Sequence, residues 1–108
     1  MVIDFSSMEW NANPEFKGGK GVFYNKMVVD GGAKIMYGKL EPGSSIGYHR
    51  HEGNAEMVFI LSGAGTEISD DVEVPALPGE CHYCQEGHCH SLINSSESED
   101  LLFYAVVK

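Results

Sequence analysis

The chain has 108 residues, and its seven basic and sixteen acidic side chains give a formal net charge of −9 at pH 7. This length suits one domain with a single hydrophobic core and is too short for two. Because phosphate groups repel a strongly acidic surface, the charge excludes nucleic acid and an anionic membrane as the expected main partners.

No segment resembles a membrane span or a secretion signal. No run approaches the roughly 20 apolar residues of a transmembrane helix. The opening MVIDFSSMEW lacks the basic and apolar regions of a signal peptide. We therefore expect a cytoplasmic protein in which residues 1–108 form one domain. Within it, residues 1–21 are expected to form an N-terminal arm with one short strand, interrupted at Asn13-Pro14 and Gly18-Gly19.

Beyond the arm, runs of β-branched, aromatic and alternating residues predict short strands separated by glycine and proline turns. The turn signal Asp30-Gly31-Gly32 predicts that the first two of these strands pair as a hairpin. The predicted strands are 22–29, 34–40, 46–51, 55–61, 66–69, 72–74, 81–84, 90–94 and 101–107. Because no segment has a convincing helical period, the fold class is all-β, a sandwich or a small barrel.

Two histidines in the third of these strands are spaced to act together. Alternate side chains of a strand share a face, so His49 and His51 are expected to project the same way and Arg50 the other way. A carboxylate from Glu56 and a third imidazole from His90 would complete a nitrogen and oxygen set. Such a set suits manganese, iron, nickel, cobalt or zinc.

Glu56 supports this interpretation through its neighbours. In a regular strand Glu56 shares its face with Val58 and Ile60, which places one carboxylate on an apolar wall. A buried carboxylate without a partner is costly, so it either takes a proton or finds a cation. Metal ligation would meet that need.

The same residues form a recognisable motif. Gly43 is followed after five residues by His49, then by His51, by Glu56 after four more residues, and finally by Gly63. This pattern resembles the first motif of the cupin superfamily without a departure.

A second motif follows in the later part of the chain. It runs from Gly79 through Gly87 to His90 and Asn94, and resembles the second cupin motif. The proline usual in that motif is Gln85 here, which loosens a turn but removes no ligand.

The resemblance implies a double-stranded β-helix, or jelly roll, in which two antiparallel sheets enclose a cavity. It also implies one divalent transition-metal ion (Mn, Fe, Ni, Co or Zn) whose ligands are His49, His51, Glu56 and His90. The motif glycines are expected to be turn residues with positive φ rather than a phosphate cradle.

Other side chains are expected near the cavity from alternation or from proximity in sequence, and the motif supports only the first of them. They are Asn94, Tyr24, Met36, Tyr48, Tyr83 and Phe103. No basic residue is firmly placed to bind a carboxylate, because Arg50 is expected to point away from the ligands.

The remaining histidines and the cysteines are expected to be structural. His82 and His88 are interpreted as satisfied core or surface groups. The three cysteines, Cys81, Cys84 and Cys89, are interpreted as small buried residues of a reducing compartment rather than a zinc or redox site. The acidic stretch from Glu97 to Asp100 is expected to be a solvated loop.

Three functional hypotheses remain open. The first is a metalloenzyme that acts on a small carboxylated or oxygen-rich metabolite, as a dioxygenase, decarboxylase, isomerase or lyase. The alternative is a metal-dependent small-molecule binding or sensing module without turnover. A third is a structural role in which the metal braces the barrel.

The assembly is expected to be a homodimer, because free sheet edges need covering and small cupins commonly pair about a two-fold axis. The arm and the strand 101–107, which is apolar on both faces, are the expected contributors.

Overall fold

The computed structural model describes all residues 1–108 and confirms the all-β prediction. One-turn 3-10 helices lie at Phe5–Ser7 and Phe16–Gly18. The structure contains no helical segment that could span a lipid bilayer. The strands are β1 (Asn11–Pro14), β2 (Val22–Asp30), β3 (Ala33–Leu40), β4 (Ser45–Arg50), β5 (Glu56–Ser62), β6 (Gly65–Ser69), β7 (Val72–Ala76), β8 (Cys81–Cys84), β9 (Cys89–Asn94) and β10 (Leu101–Val107).

The strands form two sheets in which every pairing is antiparallel. The larger sheet has the order β1-β2-β3-β10-β5-β8, and the smaller sheet has the order β4-β9-β6-β7. Neighbours such as β3 and β10, or β4 and β9, are far apart in sequence, as in a jelly roll. The predicted double-stranded β-helix is therefore confirmed.

Every predicted strand is present, and all ends but one agree with the prediction to within one residue. The hairpin of β2 and β3 forms as predicted around Asp30–Gly32. The largest difference is β7, which continues through Pro75 to Ala76. Proline cannot donate a ladder hydrogen bond, but β7 is an edge strand and pairs on one side only, so the missing donor is tolerated. The four motif glycines all have positive φ, as predicted.

The hydrophobic core lies between the sheets. Its largest fully buried apolar side chains are Phe103, Leu40, Ile60 and Leu101. The Phe103 ring occupies the space beside Gly38, where any Cβ would lie 2.4 Å from the ring. The inward face of β5 is apolar beyond its first residue, since Val58 and Ile60 are only 5% and 2% exposed.

The N-terminal arm packs against both sheets. β1 pairs with β2 at the edge of the larger sheet. The second 3-10 helix packs on β4, where a Cβ at Gly47 would lie 2.0 Å from the Lys17 carbonyl oxygen, and one at Gly19 would lie 2.1 Å from the Ser45 carbonyl oxygen. Only glycine at both positions allows the backbones to approach this closely.

The expectation that β10 contributes to a dimer stays a prediction, but β10 has no free edge to offer. β10 lies between β3 and β5, so both of its edges are paired within the chain. Both faces of β10 are apolar for different reasons. Its inner face packs in the core, and its outer face carries Tyr104, which stacks on Phe5 of the arm at 5.7 Å between ring centroids.

The contact of the arm with β4 predicts a specific sensitivity. We expect Gly47→Ala to lower the free energy of unfolding by about 1–3 kcal/mol, because the added methyl group meets backbone atoms that cannot rotate away. The matched control is Gly32→Ala, where nothing lies within 4 Å of the new Cβ, and its effect should stay within about 0.5 kcal/mol. Urea unfolding followed by circular dichroism measures both, and equal stabilities of the two variants would contradict this account of the arm.

Candidate metal centre

Four side chains meet inside the jelly roll where β4, β5 and β9 come together. His49 lies near the end of β4 and pairs in register with His90 on β9. His51 follows β4, and Glu56 opens β5. We call these residues, His49, His51, Glu56 and His90, the histidine–glutamate cluster.

The donor atoms of the cluster converge closely. His51 Nε2 lies 3.2 Å from His49 Nε2 and 2.9 Å from His90 Nε2. Glu56 Oε1 lies 3.2 Å from His51 Nε2 and 2.9 Å from His90 Nε2. All four donor atoms lie within 4.8 Å of one another.

Acceptors on the far side of the rings orient all three imidazoles. His49 Nδ1 lies 2.7 Å from the Gly47 carbonyl oxygen, and His51 Nδ1 lies 2.7 Å from Asn54 Oδ1. His90 Nδ1 lies 3.4 Å from Glu67 Oε1. Each acceptor favours a proton on Nδ1, which leaves the Nε2 lone pair of that ring directed into the cluster.

The cluster has the chemistry of a site for a divalent transition-metal ion. Two atoms that bind one ion at about 2.1 Å and at right angles lie about 3.0 Å apart, close to the separations seen here. Three inward lone pairs and one carboxylate repel one another unless a cation lies among them. Nitrogen and oxygen donors without a thiolate suit manganese, iron, cobalt, nickel or zinc.

The pKa values of the cluster follow from burial and from these contacts. Burial favours a neutral Glu56, but its close contacts with His51 and His90 outweigh burial and lower the Glu56 pKa to about 2. Burial likewise favours a neutral His90, but its interactions with Glu56 and Glu67 raise the His90 pKa to about 9. Burial lowers the pKa of His49. Without a metal, a proton on His90 is therefore the balancing positive charge.

A cavity of about 400 Å³ opens beside the cluster, with His49, His51 and Glu56 in its wall. Its apolar lining comes from both sheets and the arm, and consists of Phe16, Phe23, Met27, Met36, Ile46 and Val107. This size and mixed lining suit a small molecule.

Basic and amide groups line the same cavity. Lys17, Lys34 and Arg50 are among its lining residues, so three of the chain's seven basic residues lie at one site. Asn25 also lines it and is only 8% exposed. Its Oδ1 accepts a hydrogen bond from Asn13 Nδ2 at 3.3 Å, whereas its own amide nitrogen has no partner within the chain. That nitrogen is an available donor to a ligand.

The orientation expected for Arg50 needs correction. Its guanidinium donates to the Gly87 carbonyl oxygen, yet the side chain still contributes to the cavity lining. The reason is that β4 is irregular, with a register shift between Ile46 and His49, so simple alternation does not hold at its end.

Of the six further residues expected near the cavity, only Met36 lines it. Asn94 is 1% exposed and bonds the backbone at Leu40 and Glu99, so its role is to hold the β9–β10 loop. Phe103 belongs to the core and stacks on Phe23. These two point inward but away from the cavity.

The three tyrosines among those six lie outside the cavity. Tyr24 contacts Lys39 on the outer face of the larger sheet. Tyr48 is 44% exposed, and burial together with a hydrogen bond to Asp71 raises its pKa to about 12. Tyr83 is 57% exposed. Phe23 and Asn25, on either side of Tyr24 in β2, point inward because side chains alternate along a strand. Asn25 is therefore the polar residue of β2 that sequence reasoning missed.

Outside the cluster, the other two histidines pair with carboxylates. His88 is half exposed beside Asp70, and His82 lies between Glu67 and Glu80. Both are satisfied groups, as expected.

The expectation for the cysteines holds in part. All three cysteines are free. Cys84 is buried, and burial raises its pKa to about 11, but Cys81 is exposed because it lies on the outer face of the edge strand β8. The prediction that Cys81 is buried is therefore wrong.

The pKa values of the cluster predict how the stability of the metal-free protein depends on pH. The raised pKa of His90 contributes stability that is complete below pH 6.5 and is lost as the pH rises through 9. The lowered pKa of Glu56 contributes stability that is complete above pH 4.5 and is lost as the pH falls towards 2.

The contribution of His90 is measured by thermal unfolding of the natural chain and of His90→Gln, both in the presence of a chelator. We expect a difference in Tm of several degrees below pH 6.5 that shrinks steadily up to pH 9, because only the natural chain carries the charged imidazole. A difference that stays constant across this range would contradict the account.

Comparison with known proteins agrees with this site and fold. A family model described as a cupin domain matches residues 36–107. An oxalate-binding protein of Thermotoga maritima is 33% identical over 99% of this chain and 93% of its own length. A crystal structure of a predicted oxalate decarboxylase from Thermotoga maritima superposes with a TM-score of 0.93 and 32% identity, covering 99% of this chain and 97% of the other.

A more distant similarity is to a putative sugar phosphate isomerase from Acidithiobacillus ferrooxidans. It has a TM-score of 0.81 and 26% identity over 94% of this chain and 69% of the other. The structure has two sheets that enclose a histidine–glutamate cluster, and the cupin family model covers two-thirds of the chain. The protein is therefore a member of the cupin family.

Proposed function

We propose that the protein binds one divalent transition-metal ion at the histidine–glutamate cluster and, beside that ion, a small carboxylate such as oxalate. The observation that carries this proposal is the convergence of three imidazole nitrogens and one carboxylate beside a cavity that is also lined by three basic residues. The ion would supply positive charge and open coordination positions for carboxylate oxygens.

The charge of the cavity favours an anion as the ligand. The chain as a whole carries a net charge of −9. Lys17, Lys34 and Arg50 nevertheless gather at this cavity, which therefore attracts anions more than the rest of the surface does. The amide nitrogen of Asn25 adds a neutral donor that can bind a carboxylate oxygen. The name of the oxalate-binding relative from Thermotoga maritima supports the same ligand class.

The groups around the cavity favour binding over turnover. Decarboxylation of oxalate needs a proton donor beside the ligand. Apart from Glu56, the groups in the lining that could donate a proton are Glu52, Lys17 and Lys34, all of them exposed, and the lining has no tyrosine, serine or cysteine. Reversible binding needs no proton donor, so we propose the binding role first. The metalloenzyme hypothesis stays a prediction in which Glu52 would be the proton donor.

Calorimetric titration of oxalate into the Mn²⁺-loaded protein tests the proposal. We expect one oxalate per chain, no binding after the metal is removed, and about tenfold weaker binding to Lys34→Gln, since that variant lacks one positive charge at the cavity. Lys20→Gln is the matched control, because Lys20 is exposed and outside the cavity, and its affinity should equal that of the natural chain.

Equal oxalate binding with and without the metal would contradict the proposal, as would equal losses in the two lysine variants. Formate and carbon dioxide analysis of the same samples distinguishes the two roles. Product formation would establish the enzyme, and its loss in Glu52→Gln would identify the proton donor.

We also propose a homodimer in which a second copy covers the outer face of the larger sheet near β8. Phe59, Leu61, Tyr83 and Tyr104 are each more than 40% exposed on this chain. They lie on the neighbouring strands β8, β5 and β10, and β8 is the edge strand, so an apolar surface extends to a free strand edge.

Light scattering after size exclusion tests this assembly. We expect twice the chain mass for the natural protein and the monomer mass for Tyr83→Lys, because a buried charge without a partner opposes association. Val72→Lys, on the edge of the other sheet, is the matched control and should remain dimeric. A monomeric natural chain would overturn the proposal.

A further inference from the structure

One buried carboxylate lies just outside the histidine–glutamate cluster. Glu67 is on β6, which pairs with β9, the strand that carries His90. Its residue is only 5% exposed, although acidic side chains are almost never buried without partners. Its neighbours therefore explain why it can lie inside the sandwich.

The two oxygens of Glu67 face two different histidines. Oε1 lies 3.4 Å from His90 Nδ1, and the structure has no other acceptor at that nitrogen. Oε2 accepts a hydrogen bond from His82 Nδ1 on the opposite sheet. The carboxylate therefore connects the cluster to a histidine that does not belong to it.

The chain of contacts continues from His82 to the surface. His82 Nε2 lies 2.9 Å from Glu80 Oε1, and the Glu80 side chain is 46% exposed. His82 is held at both ring nitrogens and cannot rotate without breaking a contact. Glu67 is fixed in turn, because one of its oxygens is bound to this restrained ring.

His90 differs in this respect from the other two imidazoles of the cluster. The acceptors at Nδ1 of His49 and His51 are a backbone carbonyl and an amide, both neutral. Only His90 has a carboxylate at its Nδ1. A negative acceptor at Nδ1 fixes the tautomer and makes Nε2 a stronger donor to a metal ion than a neutral acceptor does.

We propose that Glu67, held by His82 and Glu80, is a positioning residue that strengthens His90 as a metal ligand. The inference rests on the proposed metal site. Glu67 does not touch the ion and acts through the orientation and basicity of the His90 ring. The contact from His82 keeps the carboxylate turned towards β9.

Cobalt binding tests this role. We expect Glu67→Gln, which keeps the shape but removes the charge, to weaken Co²⁺ binding 10- to 100-fold in chelator competition. The visible absorption bands of bound Co²⁺ should also shift, because the donor strength of one ligand changes. His82→Gln should weaken binding less, since Glu67 keeps its charge and loses only its support. Glu73→Gln, an exposed acid on the neighbouring strand β7, is the control and should match the natural chain.

The readouts separate this role from a purely structural one. If Glu67→Gln lowers Tm but binds Co²⁺ with the natural affinity and spectrum, Glu67 only stabilises the fold and the inference is wrong. Should Glu67→Gln fail to fold, His82→Gln decides alone: weaker binding with a shifted spectrum supports the inference, and natural binding overturns it. If the natural chain itself binds no Co²⁺, the proposed metal site fails and the role of Glu67 fails with it.

Discussion

The arrangement of three imidazole nitrogens around one carboxylate is the constraint on which the rest of this structure depends. Each ring is held from behind at Nδ1, so its Nε2 lone pair has no direction other than inward. Atoms 2.9–3.2 Å apart with like partial charges need a cation between them. A proton on His90 meets this need in part, and a divalent ion would meet it fully.

The jelly roll provides the positions that this arrangement needs. Pairing of β4 with β9 sets His49 opposite His90, and β5 brings Glu56 from the other sheet. The arm closes the side of the cavity through the close contact at Gly47, whose carbonyl oxygen also orients His49. One residue therefore serves both the packing of the arm and the geometry of the cluster.

The sequence predicted the strands and the four converging residues, because local rules determine both. Alternation and turn residues gave all nine predicted strands, and motif spacing selected the four residues that converge. The turn at Gln85 forms without the usual proline, because the His88 amide still bonds the Gln85 carbonyl oxygen. Features set by non-local pairing were missed. The central place of β10, the exposure of Cys81 and the inward turn of Asn25 depend on which strands become neighbours.

Glu67 illustrates what sequence reasoning could not find. In the predicted strand 66–69, Glu67 shares its face with Ser69 and the apolar Ile68 lies on the other face, so alternation alone would place Glu67 outside. Without the pairing of β6 with β9, nothing in the sequence says that this carboxylate faces His90. Charged residues on strands of a small all-β domain therefore merit attention even outside a motif.

X-ray absorption spectroscopy of the protein loaded with one equivalent of zinc tests the central claim most directly. The account predicts nitrogen and oxygen scatterers at about 2.0–2.2 Å, with the multiple-scattering pattern of three imidazole rings. Sulfur scatterers at about 2.3 Å, which would place the ion on the free cysteines, or a spectrum without imidazole scattering would contradict it.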